Sequence, residues 1–296
     1  MAKPGIGLIA PSGQLMDAEG LERAIEYFSK RGWRVVAPAA LRRVHQRFAG
    51  TDEVRVEAVH AMAARDDVQV VLAMRGGYGL SRLLDRFDYK RLAASNKRYV
   101  GHSDFTAFLC AALARAKLRG FSGPVASYDF GGQHHSHFME EHFWRMLEEG
   151  RDEIAVEGGS VQAGRVKGKL WGGNLALLSH LAGTPYLPKV AGGLLYVEDV
   201  NEHPYRVERM LLQLKMAGVL GKQRVLILGD FSAYKLAPND NGYNMEALVD
   251  YLRGILDIPV VAGLPFGHIR DKLTLPFGGP ATLTMERGGW HLAYAA

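Results

Sequence analysis

Val68-Gln69-Val70-Val71-Leu72-Ala73-Met74 is a nearly continuous apolar run, and Arg75-Gly76-Gly77-Tyr78-Gly79 follows it at once. An unbroken apolar strand suits a sheet covered on both faces, whereas a strand with one face in water alternates. A helical pattern through Leu80, Leu83 and Leu84 comes next. The same alternation recurs on either side. Upstream, Ile6-Gly7-Leu8-Ile9-Ala10 closes on Pro11-Ser12-Gly13, and from Asp17 the residues Leu21, Ala24, Ile25 and Phe28 fall at helical spacing until Gly32 supplies a stop. Trp33 to Val36 reads as a strand, and Arg55 to Ala64 as a helix with Val59, Met62 and Ala63 on one face. Downstream, Tyr99-Val100-Gly101-His102-Ser103-Asp104 runs into Phe105, Phe108, Leu109, Ala112 and Leu113, a strand turning into an Ala-rich helix. Alternation over about the first 125 residues predicts a doubly wound, mostly parallel sheet of flavodoxin-like type.

From Phe121-Ser122-Gly123-Pro124 the pattern changes. Gln133 to His137 is polar, and His142 to Glu149 reads as a short helix. Gly150 to Gly168 is rich in glycine and charge, which predicts an N-terminal α/β domain over 1–150, a linker over 151–168 and a C-terminal domain over 169–296. In that second domain Leu175–Leu181 reads as a helix, Gly193–Val197 as a buried strand ending in Glu198-Asp199, and Pro204 as the first turn of the next helix. Val225–Leu228 and Val260–Leu264 read as strands, and Met245–Leu256 as a helix. Three β-like pieces finish the chain at Leu273–Leu275, Ala281–Met285 and Trp290–Tyr294. The expectation is an α+β, partly barrel-like domain.

Composition narrows the class of protein. The 296 residues are 48% hydrophobic and 23% charged, as in a soluble globular chain, with a net charge of +5. Lys and Arg are scattered, without a basic block or an aromatic-interleaved motif, which argues against nucleic acid as a partner. Met1-Ala2-Lys3-Pro4-Gly5 leads directly into a strand-like run, and no apolar stretch approaches the roughly 20 residues of a membrane span. The expectation is a cytoplasmic protein. The single cysteine, Cys110, sits in Phe108-Leu109-Cys110-Ala111-Ala112 and reads as a buried small residue.

A strand that turns sharply into a helix at Gly101-His102-Ser103-Asp104 would expose the Ser103 hydroxyl and aim free helix N–H groups at whatever it attacks. An ordinary connection with Ser103 or Asp104 as N-cap has the same local signature. Attack by a serine needs a base, an acid that orients the base, and N–H donors for the oxyanion. His45 and His60 fall in or beside amphipathic patterns and read as surface residues, His180 sits inside a helix, and His291 lies in the terminal strand. His268 differs, because it stands at a loop tip behind Phe266-Gly267, where function concentrates. His102 adjoins Ser103, but in an extended element its side chain points the opposite way. The group His134, His135, His137, Glu140, Glu141 and His142 lacks the H-E-x-x-H spacing of a helical metal site and reads as a polar surface linker. Glu198 ends an apolar strand and needs a partner to be buried there, either a structural arginine or a catalytic histidine. Arg75-Gly-Gly-Tyr-Gly79 matches neither the dinucleotide fingerprint nor the P-loop, and a backbone nest for a carboxylate or an oxyanion needs the same glycines.

Five segments in order resemble the LD-carboxypeptidase family of serine peptidases, the muramoyltetrapeptide carboxypeptidases. They are Arg75–Gly79, Gly101–Asp104, Trp171-Gly-Gly-Asn-Leu175 with Gly183-Thr-Pro185, Val197–Arg206, and Phe266-Gly-His268. The resemblance runs nearly end to end. It implies a Ser–His–Glu triad of Ser103 as nucleophile, His268 as base and Glu198 as the orienting acid, with Glu202 as the fallback. It further implies an oxyanion hole from the amides of Gly77 and Asp104, and a substrate-binding loop of Arg75, Gly76 and Tyr78 in which Arg75 reaches the terminal carboxylate. The activity implied is release of terminal D-alanine from murein tetrapeptides at an L,D-bond, through an acyl-enzyme, without metal or cofactor, in cytoplasmic peptidoglycan recycling and as a homodimer. Two positions depart from the family pattern: His102 stands where Tyr is frequent, and Ser122 where His is frequent. Both concern the pocket and neither removes a triad member.

Other readings differ in testable ways. A microcin-immunity-type peptidase acting on acylated nucleotide analogues shares the triad but calls for an aromatic loop to stack a base. An α/β-hydrolase esterase shares the residue order, yet Phe105 occupies the last glycine of its G-x-S-x-G elbow. A non-catalytic muropeptide-binding protein would use the same two-domain cleft without turnover.

Overall fold

The computed structural model describes residues 3–158 and 163–296. In the first half, β1 (Gly5–Ile9), β2 (Arg34–Val36), β3 (Val70–Ala73), β4 (Arg98–Gly101) and β5 (Gly120–Ser122) alternate with α1 (Ala18–Lys30), α2 (Asp52–Ala63), α3 (Tyr89–Ala94) and α4 (Phe105–Ala116). The five strands are parallel in the order β2-β1-β3-β4-β5. That is the doubly wound, flavodoxin-like order, and it places the carboxyl ends of β3 and β4 side by side at the edge where such sheets hold ligands. β1 and β3 are buried throughout, as the unbroken apolar runs require.

The second half follows from α5 (His137–Glu149): β6 (Arg151–Glu157), β7 (Gly164–Asn174), α6 (Leu175–Leu181), β8 (Leu194–Val200), α7 (Pro204–Met216), β9 (Val225–Ser232), α8 (Met245–Ile255), β10 (Val260–Ala262), β11 (Leu275–Phe277), β12 (Pro280–Glu286) and β13 (Gly289–Ala295). Seven of these strands form one sheet in the order β10-β9-β8-β7-β12-β13-β6. One end, β10 to β7, is parallel, and the other, β7 to β6, is antiparallel. β7 serves both ends: Gly164–Lys169 pair with β12, and Leu170–Asn174 pair with β8. β11 leaves this half and joins the first sheet, antiparallel to β5.

Several expectations change. The stretch 151–168 is not a linker, for β6 and the first half of β7 lie in the second sheet, while residues 159–162 lie outside the described residues. Apart from the buried Asp152, its charges sit on the exposed face of half-buried strands, which gives strand residues a linker-like composition. The helix expected through Leu80, Leu83 and Leu84 is only a 3₁₀ turn, Leu80–Arg82, although all three leucines are buried. The polar histidine group begins α5, since Ser136 caps it by accepting the Met139 amide at 3.0 Å.

His60 is buried rather than a surface residue, and its Nε2 accepts the Asp88 amide at 3.0 Å. Burial, aided by the Arg91 charge, holds its pKa below the ordinary 6.5. Below that pH the unfolded chain binds more protons than the folded one, so stability supplied by the neutral ring is lost as pH falls. The gap in urea midpoint between the wild type and His60→Gln is expected to narrow between pH 7 and pH 5. A constant gap would remove His60 from the acid response.

Helix α4 carries the centre of the molecule. Every residue from Phe105 to Leu113 is buried, because the helix is covered by the first sheet on one side and by α6 and β7 on the other. Its apolar character on all faces is what such a position demands. Its N-terminus is thereby fixed against both halves.

Candidate active site

Strand β4 ends at Gly101, and α4 starts at Phe105. A Cβ built on Gly101 would lie 2.5 Å from the Phe105 ring, so only glycine lets strand and helix pack this closely. Between them Ser103 takes φ +63°, a left-handed conformation that a residue with a Cβ adopts at a cost. The strain projects the hydroxyl from the turn, as in the strand-to-helix elbows of serine hydrolases. Hydrogen bonds from Phe105 N to His102 O (3.2 Å) and from Thr106 N to Ser103 O (2.9 Å) close the first turn.

The other two groups come from the second half. Glu198 lies near the end of β8, where the register against β9 shifts between Val197 and Asp199. Such a bulge re-aims side chains. Asp199 accepts Asn174 Nδ2 (2.9 Å) and the Ala176 amide (2.9 Å), and so fixes the start of α6. The wholly buried Glu198 points to His268. That histidine follows Gly267, whose φ of +152° turns the loop after β10, and Asp230 lies close against the same glycine. His268 Nδ1 donates to Glu198 Oε2 at 2.8 Å, and Nε2 accepts from Ser103 Oγ at 3.1 Å. A carboxylate only accepts, which assigns the proton to Nδ1 and leaves Nε2 free to take the hydroxyl proton. Burial opposes the charge on Glu198, but attraction from His102 and the hydrogen bond and attraction from His268 outweigh it and hold the carboxyl down at about 2. Glu202 instead faces Arg206 at 3.6 Å and makes no bond to His268.

The glycine-rich loop lies on this cluster. A Cβ on Gly76 would fall 2.7 Å from Ser103 Cβ, 2.9 Å from its Oγ and 3.3 Å from the Asp104 amide. Gly77 takes φ +109°, and among the described residues neither its amide nor that of Asp104 donates to a protein acceptor. Arg55 anchors the loop from below by donating to Pro11 O (2.6 Å) and Gly79 O (3.2 Å). The Asp104 carboxylate anchors it from the helix, accepting Ser12 Oγ (2.7 Å) and the Leu80 amide (3.0 Å). Arg75 donates to Gln14 O at 3.0 Å and keeps Nε without a partner. Tyr78 turns outward, with its exposed ring beside Phe48 and Arg47.

Two side chains escaped the sequence reading. The pleat sends His102 away from Ser103 in an extended chain, but the left-handed turn breaks that rule. His102 is buried with its ring 4.3 Å from the His268 ring and Nε2 at 3.8 Å from Glu198 Oε2. Burial pushes its pKa below the ordinary value, an effect that Glu198 only partly offsets. The carboxylate of Asp104 was the other, its signal being Ser12 in a turn after β1. The histidines in and just before α5 do not converge: His135 pairs with Glu140 (3.1 Å) and His142 with Asp152 (2.5 Å). Among the described residues, only His102, Glu198 and His268 bring metal-ligating atoms together, all within 4.8 Å of one another.

Known proteins resemble this chain over nearly its whole length. Family models described as the LD-carboxypeptidase N-terminal and C-terminal domains match residues 6–123 and 167–283. The murein tetrapeptide carboxypeptidase of Pseudomonas aeruginosa is 31% identical over 96% of this chain and 94% of its own. The crystal structure of a muramoyltetrapeptide carboxypeptidase from Oxalobacter formigenes superposes with a TM-score of 0.94 at 46% identity, covering 99% of each chain. The microcin C7 self-immunity protein MccF of Escherichia coli is 26% identical over 86% of this chain and 83% of its own.

Proposed function

The chain belongs to the LD-carboxypeptidase family of serine peptidases, and from that premise we propose that it releases terminal D-alanine from murein tetrapeptides through a Ser103–His268–Glu198 triad. The observation that carries the reading is the continuous hydrogen-bond chain from Ser103 Oγ through His268 to Glu198, at 3.1 and 2.8 Å.

His268 Nε2 takes the Ser103 proton as Oγ attacks the carbonyl preceding D-alanine. The charge that develops on the carbonyl oxygen faces the amides of Gly77 and Asp104 at the positive end of α4. His268 then gives its proton to the leaving amine, D-alanine departs, and an acyl-enzyme on Ser103 remains. Water, activated by the same histidine, hydrolyses it. Glu198, ionised across the neutral range, holds the proton on Nδ1 and stabilises the imidazolium. Arg75 offers a cation to the free carboxylate that marks a chain end, which makes the enzyme a carboxypeptidase rather than an endopeptidase. Incubation with the murein tetrapeptide should yield free D-alanine and tripeptide, whereas binding without release would favour a muropeptide-binding protein. On this reading the protein serves peptidoglycan recycling in the cytoplasm as a homodimer.

The close approach of Gly76 gives a prediction of its own. In Gly76→Ala the new methyl must displace Ser103 or the loop, and misplacing a reacting atom by about 1 Å costs on the order of 10²-fold. A loss of about that size in kcat/KM for D-alanine release is expected, with the thermal midpoint measured alongside. Wild-type turnover in a folded variant would show that the loop yields without cost.

A further inference from the structure

We propose that His102, Glu198 and His268 form a binding site for a zinc ion that switches the enzyme off. His102 supplies the first observation. Its Nε2 is buried, has no hydrogen-bond partner among the described residues, and faces Glu198 Oε2 at 3.8 Å, too long for a bond. Glu198 supplies the second, since its Oε1 is likewise buried and unpartnered among the described residues. Such groups carry an uncompensated desolvation cost, which a bound cation would remove at His102 Nε2 and lessen at Glu198 through the charge on the shared carboxylate. Two imidazoles and one carboxylate are a donor set that zinc takes, with a fourth position left open. Zinc bonds of about 2.0–2.2 Å place tetrahedral donors about 3.4 Å apart. Two of the three separations, 2.8 Å from His268 Nδ1 to Glu198 Oε2 and 3.8 Å from His102 Nε2 to the same oxygen, bracket that value, and all three donors lie within 4.8 Å of one another. Entry is past His268, whose side chain is 24% exposed.

Inhibition follows from the tautomer. Zinc occupies His268 Nδ1 through its lone pair, so the ring proton moves from Nδ1 to Nε2 with no net proton released. Nε2 then donates toward Ser103 Oγ and can no longer accept its proton. The binding claim is independent of the activity; the inhibitory claim rests on the triad proposed above.

The test is a titration of metal-stripped protein with Zn²⁺ against a chromophoric chelator, with D-alanine release followed in parallel. Wild-type protein and Ser103→Ala are expected to take up a single zinc ion with equal affinity in the micromolar range or tighter. His102→Phe is expected to lose at least about 100-fold in affinity, since even groups that only orient a ligand are worth 10- to 100-fold. His102→Gln, which keeps a polar group in the same space, serves if the apolar variant misfolds. In the wild type zinc abolishes D-alanine release, and a chelator restores it. Uptake that is as tight in both His102 variants as in the wild type would assign the metal to surface histidines and overturn the site, as would no uptake at micromolar zinc. Zinc uptake that depends on His102 in a protein releasing no D-alanine would leave the site standing and remove the peptidase reading.

Discussion

Ser103→Ala is expected to lower kcat for D-alanine release by at least about 10³-fold, the scale on which removal of a triad nucleophile acts. Among the described residues the hydroxyl has one partner, His268 Nε2, so its removal leaves the turn, the helix start and the glycine-rich loop in place. Affinity for the tetrapeptide, measured calorimetrically, should therefore stay close to that of the wild type. A residual rate above that of water is also expected, because the amides of Gly77 and Asp104 remain. Unchanged turnover would sink the assignment of Ser103.

The second large effect concerns charge rather than a nucleophile. Glu198→Gln keeps size and shape but offers an amide that can present N–H to His268 Nδ1. That pairing stabilises the wrong tautomer, with the proton on Nε2, and removes the charge that supports the imidazolium. The corresponding Asp→Asn change in serine proteases costs about 10⁴-fold, and a loss on the order of 10³- to 10⁴-fold is expected here. A second signature appears in acid. The folded value of about 2 lies below the ordinary 4.5, so the unfolded state binds the extra proton between them. Stability supplied by the Glu198 carboxylate is thus present above 4.5 and lost as pH falls toward 2. Urea unfolding of Glu198→Gln over that range should depend less on pH than that of the wild type. Near-normal turnover in this variant would return Glu198 to a structural role.

What the sequence disclosed follows from how local each signal is. The parallel sheet was legible because β1 and β3 are buried on both faces and carry no alternation to confuse with a helix. The elbow was legible as punctuation, since Gly101 and Ser103 sit where an apolar strand meets an apolar helix. His268 was visible only as a loop-tip histidine, because the contact that gives it a partner spans 165 residues. The contacts of His102 with His268 and Glu198 were not legible for a specific reason: the period-two rule holds only while φ stays extended, and the chain leaves that region at Ser103. The strands within 151–168 were masked by composition. β6 alternates exposed charges with half-buried Ile154 and Val156, and its partner β13 lies more than 130 residues away. The resemblance to the family supplied what local chemistry could not, the pairing of one distant acid with one distant base.

The excursion of β11 has a consequence for how the chain is assembled. Leu275–Phe277 close the β5 edge of the first sheet, although nearly the whole second half is synthesised before them. Until they emerge, β5 presents an unpaired ladder of N–H and C=O groups, the kind of edge that recruits foreign strands. The N-terminal half is therefore finished only by residues near the other terminus. It cannot be completed as an independent unit during translation, and a cut between the halves would leave the first with an open seam. His268 lies seven residues before this strand, so the event that seals the first sheet also tethers the loop carrying the histidine beside Ser103.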